Sequence, residues 1–256
     1  MMTNNIVFRE QNIQNNTLGL YGDGVGYVSI VNTLPQVGFY EYYDDDGNIV
    51  GTINSIDAQS VLNARVSFNN GLREYEKDKK RLESIVKYGH LSCLDQINLQ
   101  FSMKIPLFAA RQFERHTMKI NELSRRFTSK DIEFFVPNKM RRQNTKGNKQ
   151  GSYEDESLDH YRDIMLGNIQ KQIELYYQMI DDGVARELAR IILPQSLYTV
   201  ITATFTLRDF LYGFIRQRVD NHAQLEIQEL AKGMLELSYP LAPLTIDYFF
   251  NYNMNV

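Results

Sequence analysis

The chain has 256 residues, enough for one large domain or two small ones. Hydrophobic residues make up 43% and charged residues 23%, an ordinary balance for a soluble globular protein, and the formal net charge of -3 argues against a general nucleic-acid binder. The single cysteine, Cys93, rules out an intrachain disulfide, and no run approaches the roughly 20 apolar residues of a membrane span.

The N-terminal stretch MMTNNIVFREQNIQNN is polar and lacks the apolar core of a signal peptide, so a cytoplasmic protein is expected. Residues 1–60 read as short strands and turns. Tyr27 to Val31 and Val37 to Tyr43 are strand-like, and Ile49 to Ile53 is a return strand after the turn Asp44-Asp45-Asp46-Gly47-Asn48. That acidic run lacks the twelve-residue calcium loop with its terminal Glu, which favours a hairpin turn. A short helix begins near residue 57 with Ser55 or Asp57 as cap. A charged helix over about 73–88 carries Leu82, Ile85 and Val86 on one face and ends at Gly89.

From Gln96 to Lys104 apolar and polar residues alternate, the pattern of a half-buried strand. Pro106 suits the first turn of a helix running to about His116. Residues 138–156 are polar and read as a loop. A long helix spans about 156–180, Gly183 breaks it, and further helices are expected at about 184–192, 205–218 and 223–237. There is no internal repeat and no evident linker. The expected fold is a single α+β domain over 1–256, with a small mixed or antiparallel sheet and several long helices.

Charge is densest in RQFERHTMKINELSRRF, residues 111–127. Five basic residues, a histidine, an asparagine and two glutamates converge there, an arrangement costly near a core unless an anion answers it. Arg111 and Arg115 sit four apart, so a helix puts both on one face. Glu114 solvates an isolated pair of this kind, but the basic turn that follows makes a dianionic ligand the better explanation. Arginine suits phosphate through its planar fork of donors. In GVARELARIILP, Arg186 and Arg190 are again four apart, with Asp182 and Glu187 available to pair with them on the helix surface. In LRDFLYGFIRQRVDNHAQLEI, helical spacing places Arg218 at the end of a stripe of Leu207, Leu211 and Phe214. An arginine there either snorkels or meets a ligand. His222 lies about one turn beyond, with Gln224 and Glu226 close by. Cys93 reads first as a small buried thiol.

Four segments, in order, resemble the flavin-dependent thymidylate synthases. The family signature R-Q-x-x-R-H-R followed by N-E-x-S-x-R-[YF] is met by Arg111, Gln112, Arg115, His116, Asn121, Glu122, Ser124, Arg126 and Phe127. KYGHLSCLD matches G-H-x-[ST] at His90 and Ser92, the segment around Arg190 matches x-R-E-x-A-R-x-x-L-P, and R-x-D-x-H-A-Q-x-E-I carries Arg218 and His222. The similarity runs from about Ala64-Arg65-Val66-Ser67-Phe68 to about Ala231. It implies an α+β subunit, a homotetramer with active sites at subunit interfaces, FAD as cofactor, and NADPH and methylenetetrahydrofolate as co-substrates for methylating C5 of dUMP.

By the same resemblance Gln112, Arg115, Glu122, Ser124, Arg125, Arg126, Arg190 and Arg218 are expected to bind the nucleotide, and Arg218 to polarise the pyrimidine. His90, Ser92, Arg115, His116, Glu122, Arg208 and His222 are expected to bind the flavin. No metal ligand, nucleic acid or membrane is implied. The chain departs from the family in several places. Thr117 stands in place of the third signature arginine, Arg125 replaces a glycine, and Thr206 replaces an asparagine. The stretch from His116 to Asn121 is one residue short, and Arg208 to Arg218 is one residue long. These departures keep open a diverged enzyme acting on another pyrimidine nucleotide or adding another one-carbon group, and a non-catalytic nucleotide-binding protein.

Overall fold

A computed structural model describes residues 6–13, 16–68 and 71–254, so part of the polar N-terminal stretch lies outside the described residues. The first strands are β1 (Ile6–Glu10), β2 (Thr17–Gly19), β3 (Tyr27–Leu34), β4 (Gly38–Tyr43) and β5 (Ile49–Asn54). The acidic run between β4 and β5 is a hairpin turn, as its chemistry predicts. The Asp44 carboxylate accepts the backbone N–H of Asp46 at 3.1 Å and of Asn48 at 2.8 Å. Gly47 takes φ +84°, which a side chain would resist.

Helix α1 (Ser55–Arg65) follows β5 directly, and neither Ser55 nor Asp57 caps it. Asp57 is fully buried and turned to another helix, Pro243–Asn253. There it accepts the N–H of Leu244 at 3.1 Å, the N–H of Thr245 at 3.0 Å and the Thr245 hydroxyl at 2.6 Å. These donors belong to a first helical turn that has no acceptors of its own. Helix α2 (Tyr75–Lys87) buries Leu82, Ile85 and Val86 as its periodicity predicts. It ends in a Schellman motif: the Gly89 N–H reaches Val86 and the His90 N–H reaches Ile85, with Gly89 at φ +70°.

Strand β6 (Asn98–Pro106) buries Leu99, Phe101, Met103 and Ile105 on one face. Helix α3 (Leu107–Phe113) is shorter than expected and stops before Arg115 and His116. Phe113 is its last buried side chain, and the His116 N–H folds back to the Phe113 carbonyl, turning the chain into β7 (Lys119–Glu122). Arg111 and Arg115 therefore do not share a helical face. Within the segment read as a loop, β8 (Arg141–Gln143) pairs with β9 (Ser152–Glu154). Both faces of this hairpin are polar, so no apolar alternation announces it. Helix α4 (His160–Asp181) starts later than expected, and Gly183 breaks the chain at φ +87°. Helix α5 (Arg186–Ala189) then passes into a 3-10 turn, Arg190–Ile192.

Strand β10 (Tyr198–Thr206) was not expected from the sequence and is central. It pairs antiparallel with β6 on one side and β7 on the other, in a five-stranded sheet of order β2-β3-β6-β10-β7; β1, β4 and β5 form a second, antiparallel sheet of order β1-β4-β5. After β10 the chain forms a π-helical segment, Asp209–Ile215, and continues into α6 (Arg216–Arg218), α7 (Leu225–Ser238) and α8 (Pro243–Asn253). The expected helix over 205–218 is thus a strand end followed by a π segment.

The core lies between the large sheet and these helices. Phe101, Ile201, Ala203 and Phe205 meet Phe210, Phe214, Ile227 and Met234. Phe113 packs edge-on to Phe214 with ring centroids 5.3 Å apart, and Phe101 stacks on Phe210 at 5.5 Å. Each fully buried phenylalanine contributes roughly 1.5–3 kcal/mol. This packing holds α3 and the π segment against the same sheet face, and so brings the signature turn after α3 close to Arg218. The architecture is α+β. Among the described residues no helix is long and apolar enough to cross a membrane.

Candidate active site

The edge of β10 builds the first group of site residues. The amides that open α3 are satisfied across the chain, Leu107 N–H by the Leu197 carbonyl at 2.9 Å and Phe108 N–H by the Gln195 carbonyl at 3.0 Å. That docking brings Arg111 over the 195–199 segment, where its Nε donates to Gln195 Oε1 at 3.0 Å. Register with β10 places Glu122 opposite Ile201, and its carboxylate accepts the Thr199 hydroxyl at 2.8 Å. Arg111, Glu122, Arg125, Arg190, Gln195 and Thr199 line one cavity of about 360 Å³. Its walls carry three guanidinium groups and one carboxylate.

The arginines of this group differ in their freedom. Arg125 is buried, and its guanidinium donates to the carbonyls of Lys130 and Asp131. Arg126 is exposed and lies 3.5 Å from Glu187. That contact replaces the Glu187–Arg190 pairing considered for the isolated helix. The Ser124 hydroxyl accepts the Arg126 N–H at 3.4 Å.

A second group gathers after α3 and α6. Arg218 Nε donates to His116 Nε2 at 2.9 Å. The imidazole also bonds the Gly213 backbone and meets the Phe214 ring edge-on at 5.1 Å. Burial, then the neighbouring Arg218, lowers the His116 pKa; burial, then Arg115, lowers that of Arg218. The chain between Arg208 and Arg218 runs through the π-helical segment Asp209–Ile215, a geometry that recurs at functional sites. Gln112 donates to Gln224, and Gln224 donates to Glu226 Oε2 at 2.8 Å. Arg141 of the hairpin is ion-paired with the same buried Glu226. His222 is highly exposed and bonds Asp220.

The third group is His90, Ser92 and Arg208. His90 occupies the end of the Schellman motif, and Ser92 lies in the 3-10 turn Leu91–Leu94 that follows. Arg208 reaches Asp95 just beyond that turn at 3.2 Å. The Thr206 hydroxyl accepts the Asp209 N–H at 3.0 Å, where the π segment begins. Among the described residues no hydrogen bond between site side chains joins one group to another.

Sequence reasoning missed Gln195, Thr199 and Arg141. Thr199 belongs to the β-branched run of β10, whose alternation was a usable signal, and Gln195 lies in the turn before that strand. Arg141 lies in the polar hairpin, which offered none. Among the described residues no cluster of three or more His, Cys, Asp and Glu is placed to hold a metal ion.

Comparison with known proteins agrees with the motifs. A family profile described as thymidylate synthase complementing protein matches residues 48–244. A flavin-dependent thymidylate synthase of Kosmotoga olearia is 36% identical over 200 residues, covering 77% of this chain and 86% of its own. The Thermotoga neapolitana enzyme of the same name is 34% identical over 216 residues, covering 84% and 92%. Among solved structures, the UMP/dUMP methylase PolB of Streptomyces cacaoi bound with 5-Br dUMP superposes with a TM-score of 0.75 over 93% of this chain and 99% of its own, at 23% identity. That likeness bears on the fold. The chain belongs to the thymidylate synthase complementing protein family, that of the flavin-dependent thymidylate synthases.

Proposed function

We propose that this enzyme transfers the methylene carbon of methylenetetrahydrofolate to C5 of dUMP, with FAD as cofactor and NADPH as reductant, giving dTMP. The observation that carries this reading is the cavity in which Arg190 and Glu122 share a wall with Arg111 and Arg125, the last two held by Gln195 and by the Lys130 and Asp131 carbonyls, in a chain of this family. Guanidinium groups suit the phosphate of a nucleotide, and a carboxylate suits a donor on its sugar or base. In this reading Gln112, Arg115, Glu122, Ser124, Arg126, Arg190 and Arg218 contact the nucleotide, and Arg125 braces the cavity wall.

The donor set also fits FAD. Arg115 is exposed and makes no ion pair within the chain among the described residues, and His90 and Ser92 are exposed on the turn after α2. Cations and donors of this kind match a pyrophosphate-bearing cofactor. His90, Ser92, Arg115, Glu122, Arg208 and His222 would hold it, and the His116 ring, bonded to Arg218 and to the Gly213 backbone, would meet it by packing. When bound, flavin would supply the redox chemistry that completes the methyl group, with NADPH as its reductant.

Arg218, set against the pyrimidine, polarises N3 and O2 and makes C5 more nucleophilic. No protein nucleophile is needed. Cys93 is half-buried, and burial raises its thiol pKa, keeping it protonated near neutral pH. The lone cysteine also supports a cytoplasmic setting. Exposed apolar side chains lie close in sequence to the nucleotide residues: Phe127 at 80%, Ile191 at 72% and Leu188 at 55% exposure. A second copy covering them would bury this apolar surface, which supports a homotetramer.

The test is the visible absorption spectrum after FAD is added and free FAD removed, followed by NADPH oxidation and dTMP formation with dUMP and methylenetetrahydrofolate. Retained flavin with dTMP formed supports the reading. Retained flavin without dTMP assigns another nucleotide or one-carbon product. A folded protein that binds dUMP but retains no flavin leaves a non-catalytic nucleotide binder.

A further inference from the structure

We propose that His116 is a positioning residue for Arg218: as a neutral acceptor it fixes the guanidinium, and protonation of its ring releases it. This inference rests on the reading that Arg218 meets the nucleotide. The geometry is specific. Arg218 Nε donates to His116 Nε2 at 2.9 Å, so that nitrogen carries no proton and the ring proton lies on Nδ1. The imidazole bonds the Gly213 backbone, and the Phe214 ring, 5.1 Å away and edge-on, limits its rotation. Gly213 and Phe214 both belong to the π-helical turn, so the histidine is anchored on that turn. The two side chains come from segments 102 residues apart and meet only because α3 and the π segment pack on the same sheet face.

The charged groups facing the ring are Arg218 from α6 and Arg115 from its own turn. Both disfavour imidazolium, and burial acts in the same direction. A proton on Nε2 would remove the acceptor and set a third positive charge beside two arginines. Arg218 would then lose its fixed orientation.

The test is calorimetric titration of dUMP into flavin-free protein in steps from about pH 8 to about pH 4.5, a range carried below ordinary histidine titration because burial and the two arginines lower that of His116. The nucleotide phosphate titrates near pH 6 as well. His116→Gln supplies the reference, because it keeps an acceptor and cannot protonate. Wild type is expected to lose about tenfold more affinity than His116→Gln on acidification, the size of one charge-assisted hydrogen bond. His116→Leu, checked for folding by circular dichroism, is expected to bind about tenfold more weakly than wild type at pH 8. If wild type and His116→Gln change in parallel while Arg218→Ala weakens binding, the inference is overturned and the substrate reading stands. If wild type binds no dUMP, or Arg218→Ala binds it as well as wild type, the substrate reading fails and takes this inference with it.

Discussion

Thr199 donates its hydroxyl to Glu122 at 2.8 Å, tying the start of β10 to the end of β7 beside the arginine-lined cavity. Thr199 is buried and Glu122 is exposed, so the bond fixes a carboxylate that would otherwise sample several rotamers. Thr199→Val keeps the shape and removes the donor. The expected result is a rise of about three- to tenfold in the dissociation constant for dUMP, corresponding to one hydrogen bond, with little change in thermal midpoint. Calorimetry on the folded variant measures it. Unchanged affinity would separate Glu122 from nucleotide binding.

Arg125 stands where the family signature has glycine, and the structure gives it internal work. Its guanidinium donates to the carbonyls of Lys130 and Asp131, and Asp131 itself is held at φ +51°. Arg125→Ala leaves both carbonyls without this donor and should lower stability by about 1.5–3 kcal/mol. Arg125→Gly should lower it by about 0.5–1 kcal/mol more, through the added freedom of the unfolded chain. Urea denaturation reads both. A midpoint equal to wild type in either variant would mean that the 128–131 loop holds itself.

Much of the framework was legible because burial leaves a period in the sequence. β6 alternates, α2 repeats at helical spacing, and Gly89 ends α2 where a positive φ is required. β10 also alternates, but Thr202, Thr204 and Thr206 on its half-buried face, next to helix-like flanks, concealed it. The spacing of Leu207, Leu211, Phe214 and Arg218 fits an ordinary helix, and so concealed the π turn. At the site, residue types were legible and their existing bonds were not. Arg126 meets Glu187, Arg208 meets Asp95 and Arg218 meets His116, pairings set by topology across 61, 113 and 102 positions.

Asp57 makes the stability of α8 depend on pH. Burial raises its carboxyl from an ordinary 3.8 to about 6, against the pull of Thr245 and Leu244. Between those values the folded protein keeps a proton that the unfolded chain has released. The contribution is therefore fully present below about pH 4 and is lost as pH rises through about 6. Asp57→Asn should flatten the change in urea midpoint across that window. Asp57→Ala removes three hydrogen bonds and should lower stability at every pH by roughly 1.5–3 kcal/mol. A wild-type slope retained in Asp57→Asn would assign the titration to another group.

Arg208 and Asp95 test whether a surface ion pair serves the fold or the cofactor. They meet at 3.2 Å with both side chains partly exposed, a pairing that contributes at most about 1 kcal/mol. Arg208→Ala should therefore leave the thermal midpoint nearly unchanged. If Arg208 holds the flavin, the same substitution should lower FAD affinity by about tenfold or more, read by visible absorbance after free flavin is removed. Asp95→Asn separates the two roles, because it frees Arg208 without removing it. Flavin retention equal to wild type in Asp95→Asn assigns the loss in Arg208→Ala to the guanidinium itself. An equal loss in both variants would mean that the pair acts by anchoring the turn that carries His90 and Ser92.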